Sequence, residues 1–276
     1  MANAWMIKPL PIVAASGTTS ALGEHMNLAN DYAGVVWRAV NSPTAALKLD
    51  LGADTTFDTV MLFGVFGANV STAVVNPYLA TAAQGDGFDG SDVSTGVGTG
   101  NFKTLLVHNL LAGSIMPISG QGVGIISWSA GPPAANRHLM LYISGLGAGA
   151  FVQISRIVIG KRIQLERNFS FGAAFGVRDL GSLDFNRRGV MSRILGKIMR
   201  TVGLTFSSVY PDEVAASTRP LIEQIGNTRM IALVTDPTAD ADRQNRCYYG
   251  PLVGDLGHVW RTAKAFEVKV NQVSIF

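Results

Sequence analysis

Two stretches of sequence determine the fold that we expect for this chain. The first contains WRA (37–39), LKLDLG (47–52) and TVMLFG (59–64), and the second contains RHLMLYISG (137–145) and FVQISRIVIG (151–160). The LKLDLG segment alternates apolar and polar residues, which is typical of a strand with one buried face, whereas TVMLFG is apolar on both faces. The pattern therefore predicts an antiparallel sandwich whose two walls come from these stretches. Its inward side chains should be Trp37, Leu49, Leu51, Leu62, Leu141 and Ile143.

The same residues carry a resemblance. An early Trp37, the LDLG strand at 49–52 and the late strand beginning at Arg137 resemble the galactose-binding-like jelly roll, also called discoidin-like or F5/8 type C. The resemblance covers residues 1–160. It implies a β-sandwich that binds surfaces and ligands through its loops and has no chemistry of its own.

Residues 161–276 are expected to form a second domain that is also mainly β. A period-2 bias over 190–206 favours one long strand, or two strands kinked at Gly196, with one face buried. A short helix is expected over 211–226, with Pro211 at its start and Gly226 at its end, divided by Pro220. The order of strand, helix, apolar strand and YYGPL (248–252) resembles the β-barrel-like hub domains of bacteriophage tail-tip and distal-tail proteins.

Composition and charge narrow the function. The chain is 47% hydrophobic and only 15% charged, so we expect much of its surface to be covered by other subunits. Residues 1–160 hold 6 basic and 8 acidic side chains, and residues 161–276 hold 16 and 11, which places a domain boundary near Gly160–Lys161. The excess of basic over acidic side chains in residues 161–276 is too small to predict specific nucleic-acid binding. The N-terminus is not a secretory signal and no apolar stretch is long enough to cross a bilayer, so synthesis in a host cytoplasm without a membrane span is expected.

No motif predicts catalysis. The segment GLGAGA (145–150) fits a loose dinucleotide pattern, but β-forming residues follow it where a helix is required. The four histidines have no zinc spacing, no G-x-S-x-G elbow occurs, and the single Cys247 has no evident base and is expected to pack as a small apolar residue. We therefore expect neither an enzyme nor a cofactor.

Two ligand interpretations remain open. Asp86, Asp89 and Asp92 lie in a glycine-rich loop within 84–101 that is either a solvated turn or a calcium site. Trp128, beside a loop, is either a core or interface residue or a ring that stacks on a sugar. Trp37 and Trp260 flank strands and are expected in the core.

Four cations, Arg187, Arg188, Arg193 and Lys197, lie close together in sequence on or beside the long strand. They form either a solvated face or a contact with a neighbouring subunit. Together these observations predict a structural virion protein of a tailed bacteriophage. It would form part of a homo-oligomeric ring at the tail tip or baseplate, next to other tail proteins. The alternative is a carbohydrate-binding adhesion or receptor-recognition module, with a host surface glycan as its partner.

Overall fold

A computed structural model describes residues 2–86, 103–104, 107–128, 135–262 and 264–276 of the chain. It is mainly β, built from antiparallel sheets with one short helical run, as the sequence predicted. The strands of the first half are β1 (Trp5–Ile7), β2 (Ala14–Gly17), β3 (Ser20–Leu22), β4 (Trp37–Ala39), β5 (Thr44–Thr55), β6 (Thr59–Gly67), β7 (Val74–Ala80), β8 (Lys103–Thr104), β9 (His108–Asn109), β10 (Gly122–Ser127), β11 (Asn136–Ser144), β12 (Val152–Ile154) and β13 (Arg156–Gly160). The later strands are β14 (Arg162–Gln164), β15 (Ala174–Asp179), β16 (Ser182–Phe185), β17 (Met191–Ile194), β18 (Ile198–Val209), β19 (Met230–Val234), β20 (Cys247–Pro251), β21 (His258–Thr262) and β22 (Ala265–Val273).

The chain divides into two compact units. The sandwich unit comprises Ile7–Arg162 and Thr238–Cys247, and the second unit comprises Met1–Met6, Ile163–Pro237 and Tyr248–Phe276. The chain leaves the sandwich unit two residues beyond the boundary predicted at 160. The chain also changes unit after the N-terminal hexapeptide and on both sides of 238–247, which are three further crossings that the sequence did not indicate.

Two sheets form the sandwich unit. In one, the strand order is β10-β6-β12-β4-β3, and β13 also pairs with β6. In the other, the order is β2-β5-β11-β7-β8, and β9 also pairs with β7. Strands β5 and β11 pair with Leu49 opposite Leu139 and Leu47 opposite Leu141. The two predicted stretches therefore pair with each other, but each of them contributes strands to both sheets. The prediction of one wall from each stretch was wrong, because the chain crosses from one sheet to the other within each stretch.

The core of the sandwich follows from the alternation of apolar residues. Over 44–51, every second side chain of β5 points inward, because successive residues of a strand face opposite sides of the sheet. The six residues predicted to face inward, Trp37, Leu49, Leu51, Leu62, Leu141 and Ile143, are all buried in one cluster. Removing this apolar surface from water is the main term that stabilises such a sandwich.

The second unit contains two four-stranded sheets, ordered β14-β1-β19-β20 and β15-β18-β22-β21, and the separate hairpin β16-β17. The strand predicted over 190–206 is two strands, β17 and β18, with the break at 195–197 around Gly196. The expected buried face is present only in the second of them: Val202, Leu204 and Phe206 are buried, whereas Val190 and Ile194 are exposed. The prediction of one buried face over the whole stretch was wrong, because 191–194 pair with no described strand other than the exposed β16.

The helical run occupies 211–225, where a short helix was predicted. It consists of α1 (Pro211–Glu213), a π-helical turn (Val214–Thr218) and α2 (Arg219–Ile225). The Glu213 side chain accepts from the backbone N–H of Tyr210, and Gly226 closes the run at a positive φ. Pro220 lies in the first turn of α2, where its missing N–H costs least. Short 3₁₀ turns occur at His25–Ala29 and Arg243–Arg246.

Candidate functional site

A ribbon of the second unit carries the largest group of exposed apolar side chains among the described residues. We call residues 174–198, which contain β15, β16 and β17, the arm. Strand β15 pairs with β18 and continues into the β16-β17 hairpin, where Leu180 N–H donates to Lys197 O. Ten large apolar side chains of the arm are more than half exposed: Phe175, Val177, Leu180, Leu183, Phe185, Val190, Met191, Ile194, Leu195 and Ile198.

The β16-β17 hairpin has one distinctly apolar face. Its register places Leu183 opposite Arg193 and Phe185 opposite Met191, and opposed residues share a face of the ladder. Leu183, Phe185 and Met191 therefore form one continuous exposed apolar strip beside Arg193. A two-stranded hairpin is only marginally stable in water by itself, so this strip is expected to be covered in the functional state.

The four predicted interface cations lie along the arm and do not form one compact cluster. Arg187 and Arg188 occupy the turn at the tip, where Asn186 N–H donates to Val190 O. Arg193 lies on the apolar strip, and Lys197 near the base donates to the carbonyl of Ile275 at 2.9 Å. Arg187, Arg188 and Arg193 form no ion pair with any residue that the structure describes. Sequence reasoning found the cations but missed the apolar side chains between them, although the alternation around the NRRG turn was visible.

The outer face of one sandwich sheet carries a row of four side chains. Phe66 of β6 lies opposite Gln153 of β12, Gln153 lies opposite Arg38 of β4, and Arg38 lies opposite Leu22 of β3. We call these residues, with the adjacent Phe151, the outer row. Val152, Ile154 and Trp37 alternate with them and are buried, so the row faces outward. Phe66 and Leu22 are each 49% exposed.

A small pocket of about 100 Å³ lies on the opposite sheet, near Ser16, Lys48, Asp50 and His138. Arg137 Nε and Nη2 donate to the two oxygens of Asp50 at 2.8 and 2.9 Å. This hydrogen-bonded guanidinium lowers the pKa of Asp50 to about 2. His138 Nδ1 lies 3.9 Å from the same carboxylate. The carboxylate is thus already neutralised by Arg137, and the geometry favours a structural ion pair.

The tryptophans do not occupy the expected positions in every case. Trp37 is buried, as predicted, and its Nε1 donates to Ser20 Oγ at 2.8 Å. Trp128 is half-buried and packs edge-on against Phe57, with ring centroids 5.8 Å apart. This packing favours its core interpretation, and sugar stacking by Trp128 stays a prediction. Trp260 is 63% exposed on the edge strand β21, so its predicted core position was wrong.

In the described part of the chain, no group of His, Cys, Asp or Glu side chains is arranged to hold a metal ion. Asp86 lies at the edge of the pocket beside Asp50, whereas Asp89 and Asp92 of the predicted calcium loop lie outside the described residues. No described helix has the length and apolar character needed to span a membrane. The lone Cys247 is buried, as expected for a packing role.

Several solved structures are similar to about half of the chain. A mutant of chitosan-binding module 1, from a chitosanase/glucanase of Paenibacillus sp. IK-5, aligns with a TM-score of 0.40 and 10% identity over 56% of this chain and 98% of its own. The module CpGH89CBM32-5 of Clostridium perfringens, in complex with GalNAc-β-1,3-galactose, aligns with a TM-score of 0.39 and 13% identity over 55% and 99%. The lectin domain of lectinolysin, complexed with Lewis B antigen, gives 0.35 and 11% over 54% and 92%. No protein-family model and no curated protein matches the chain.

Proposed function

We propose that the chain is a non-catalytic assembly subunit that joins further copies of itself through the arm. The observation that carries this proposal is the exposure of ten large apolar side chains on a ribbon that cannot bury them internally. Monomeric proteins rarely expose large contiguous apolar patches, and such patches mark contacts between proteins.

We infer that the partner is a second copy of the chain, because the second unit also carries a surface on which an arm can dock. At the base of the arm, a cavity of about 270 Å³ opens between β15, β18 and β22, lined in part by Phe175, Val202, Gly203 and Val273. Strands β15 and β21 are also the two open edges of their sheet. An arm of one copy that docks against the base of the next makes a contact between unlike surfaces, which builds rings or filaments.

The test is the mass of the full chain in solution. Light scattering over a concentration series should show oligomers of the parent, and Phe185→Glu should shift them to monomers because a charge enters the apolar strip. Ile118→Glu is the matched control, since Ile118 is an exposed apolar residue of the sandwich unit and should leave assembly unchanged. A parent that stays monomeric at every concentration would overturn the proposal.

We propose a ring at the tail tip or baseplate of a tailed bacteriophage, as the sequence pattern of 161–276 predicted. The support is that pattern together with the arm. Immunogold labelling of the virions of a phage that encodes the chain tests it, and labelling of the tail tip is expected. A chain absent from purified virions would refute this placement while leaving self-assembly intact.

Carbohydrate binding by the sandwich is the second candidate function. The outer row favours it, because an exposed aromatic ring beside amide and guanidinium groups offers both an apolar face and hydrogen-bond donors. Retention of the chain on immobilised polysaccharides, compared with an unmodified resin, tests this candidate. Elution together with an unrelated protein of the same size from every polysaccharide would argue against it.

A further inference from the structure

We propose that the outer row is a binding site for a pyranose that carries a carboxylate. The inference rests on the second candidate function and assigns that function a place and a ligand chemistry. Phe66 would contact the ring of the sugar, and Arg38 would bind its acidic group. Neither residue was singled out by the sequence.

The guanidinium of Arg38 is held in place by neutral groups. Its Nε and Nη2 both donate to Oε1 of Gln153, at 3.2 and 2.8 Å. Its central carbon lies 4.5 Å from the centroid of the Phe151 ring, in cation–π geometry. An arginine fixed in this way loses little side-chain entropy when a ligand binds.

The charge of Arg38 remains available. Among the residues that the structure describes, no carboxylate pairs with Arg38. Its Nη1 and the Nε2 of Gln153 donate to no described residue, so these N–H groups are free to meet ligand oxygens. Guanidinium groups form short, charge-assisted hydrogen bonds to carboxylates, which makes an acidic group the best complement of this position.

Phe66 supplies the apolar part of the site. Its ring lies 6.2 Å from that of Phe151 and is tilted by 48°, and it remains half exposed while Arg38 covers the Phe151 face. The close approach of β6 and β12 depends on Gly67, because a Cβ there would lie 2.2 Å from the carbonyl oxygen of Phe151. The row is therefore a flat site in which a ring-shaped ligand with apolar C–H faces can lie on Phe66 while its oxygens reach Gln153 and Arg38.

The binding experiment compares an acidic with a neutral ligand of the same ring type. Isothermal titration calorimetry of the full chain with short oligogalacturonate and with the corresponding oligogalactoside should show a preference for the acidic ligand of about tenfold, as expected for one charge-assisted contact. Phe66→Ala should lower the affinity for both ligands by roughly tenfold, because the apolar contact with the sugar ring is lost. Arg38→Gln should remove the preference for the acidic ligand, whereas Arg38→Lys should retain part of it because the charge remains.

Matched controls lie in the second unit. Phe171→Ala removes an exposed phenylalanine, and Arg219→Gln removes an exposed arginine that pairs with Glu223. Both should bind like the parent, and circular dichroism should show all variants folded. Undiminished binding by folded Phe66→Ala and Arg38→Gln would place the sugar elsewhere and overturn this site. Failure of the parent to bind either oligosaccharide or any immobilised polysaccharide would overturn the candidate function as well.

Discussion

The side-chain carbonyl of Gln244 accepts a hydrogen bond of 2.8 Å from the backbone N–H of Val123, although 121 residues separate them. The same side chain donates through Nε2 to the carbonyls of Gly113 and Ile115, and it is completely buried. One amide thus satisfies three backbone groups of the sandwich unit. This relationship explains why residues 238–247 belong to that unit and not to the segments that flank them.

Replacing Gln244 with Ala should lower the free energy of unfolding by about 2–3 kcal/mol, because buried backbone groups lose their partners. Urea denaturation followed by circular dichroism measures this change. Gln121→Ala, at a half-buried position near the same strand, is the control and should cost less than about 0.5 kcal/mol. Equal midpoints for the two variants would show that the Gln244 contacts contribute nothing.

The pair of Asp50 and Arg137 should make stability depend on acid pH. The folded-state pKa of Asp50 is lowered to about 2, below its ordinary value of 3.8, so the contribution of the ion pair is present above pH 3.8 and is lost as the pH falls toward 2. Asp50→Asn should be less stable than the parent by about 1–2 kcal/mol at neutral pH, with the difference shrinking below about pH 4. Denaturation of both proteins at several pH values tests this, and a pH-independent difference would contradict it.

Substituting Leu141 with Asp should remove several kcal/mol of stability, at the upper end of the range for single substitutions, because an unpaired charge enters the core of the sandwich. Soluble yield and melting temperature report the effect. The exposed Val13→Asp is the comparison and should behave like the parent. Soluble Leu141→Asp with the parental melting temperature would refute the core assignment.

Reversing Arg187 and Arg188 to Glu at the tip of the arm should weaken assembly without changing the fold, provided that the tip meets an acidic surface of the next copy. Size-exclusion chromatography of the double variant should show smaller species than the parent at low salt. The difference should narrow at high salt, because salt screens exposed charges. Identical elution at both salt concentrations would mean that the two arginines are simply solvated.

The sequence predicted those parts of the fold that depend on local alternation. The alternation of apolar and polar residues in β5 predicts its buried face, and Pro211 and Gly226 predict the two ends of the helical run. The alternation at Leu183, Phe185 and Met191 indicates strands, but it does not show that their apolar face is exposed. A half-buried strand has the same alternation, and the two differ only in whether another layer packs on the apolar face. The prediction that Trp260 lies in the core was wrong for a similar reason. A position beside a strand in the sequence does not show whether that strand lies at the edge of its sheet.

The proposed sugar site could not be predicted from the sequence, for a different reason. Arg38, Phe66 and Gln153 come from three strands and meet only through their register. Trp128 was considered for sugar stacking because it lies beside a loop, but its position near Phe57 depends on packing that no local pattern encodes. Side chains that are brought together across a sheet carry no spacing signal in the chain.

The contribution of residues 238–247 to the sandwich unit has a consequence for synthesis of the chain. Until the ribosome has added Gln244, the carbonyls of Gly113 and Ile115 and the N–H of Val123 lack their amide partner. The sandwich therefore cannot reach its final state as an isolated N-terminal product. Its completion has to wait until most of the second unit has also been translated, so the two units are expected to mature together during biosynthesis.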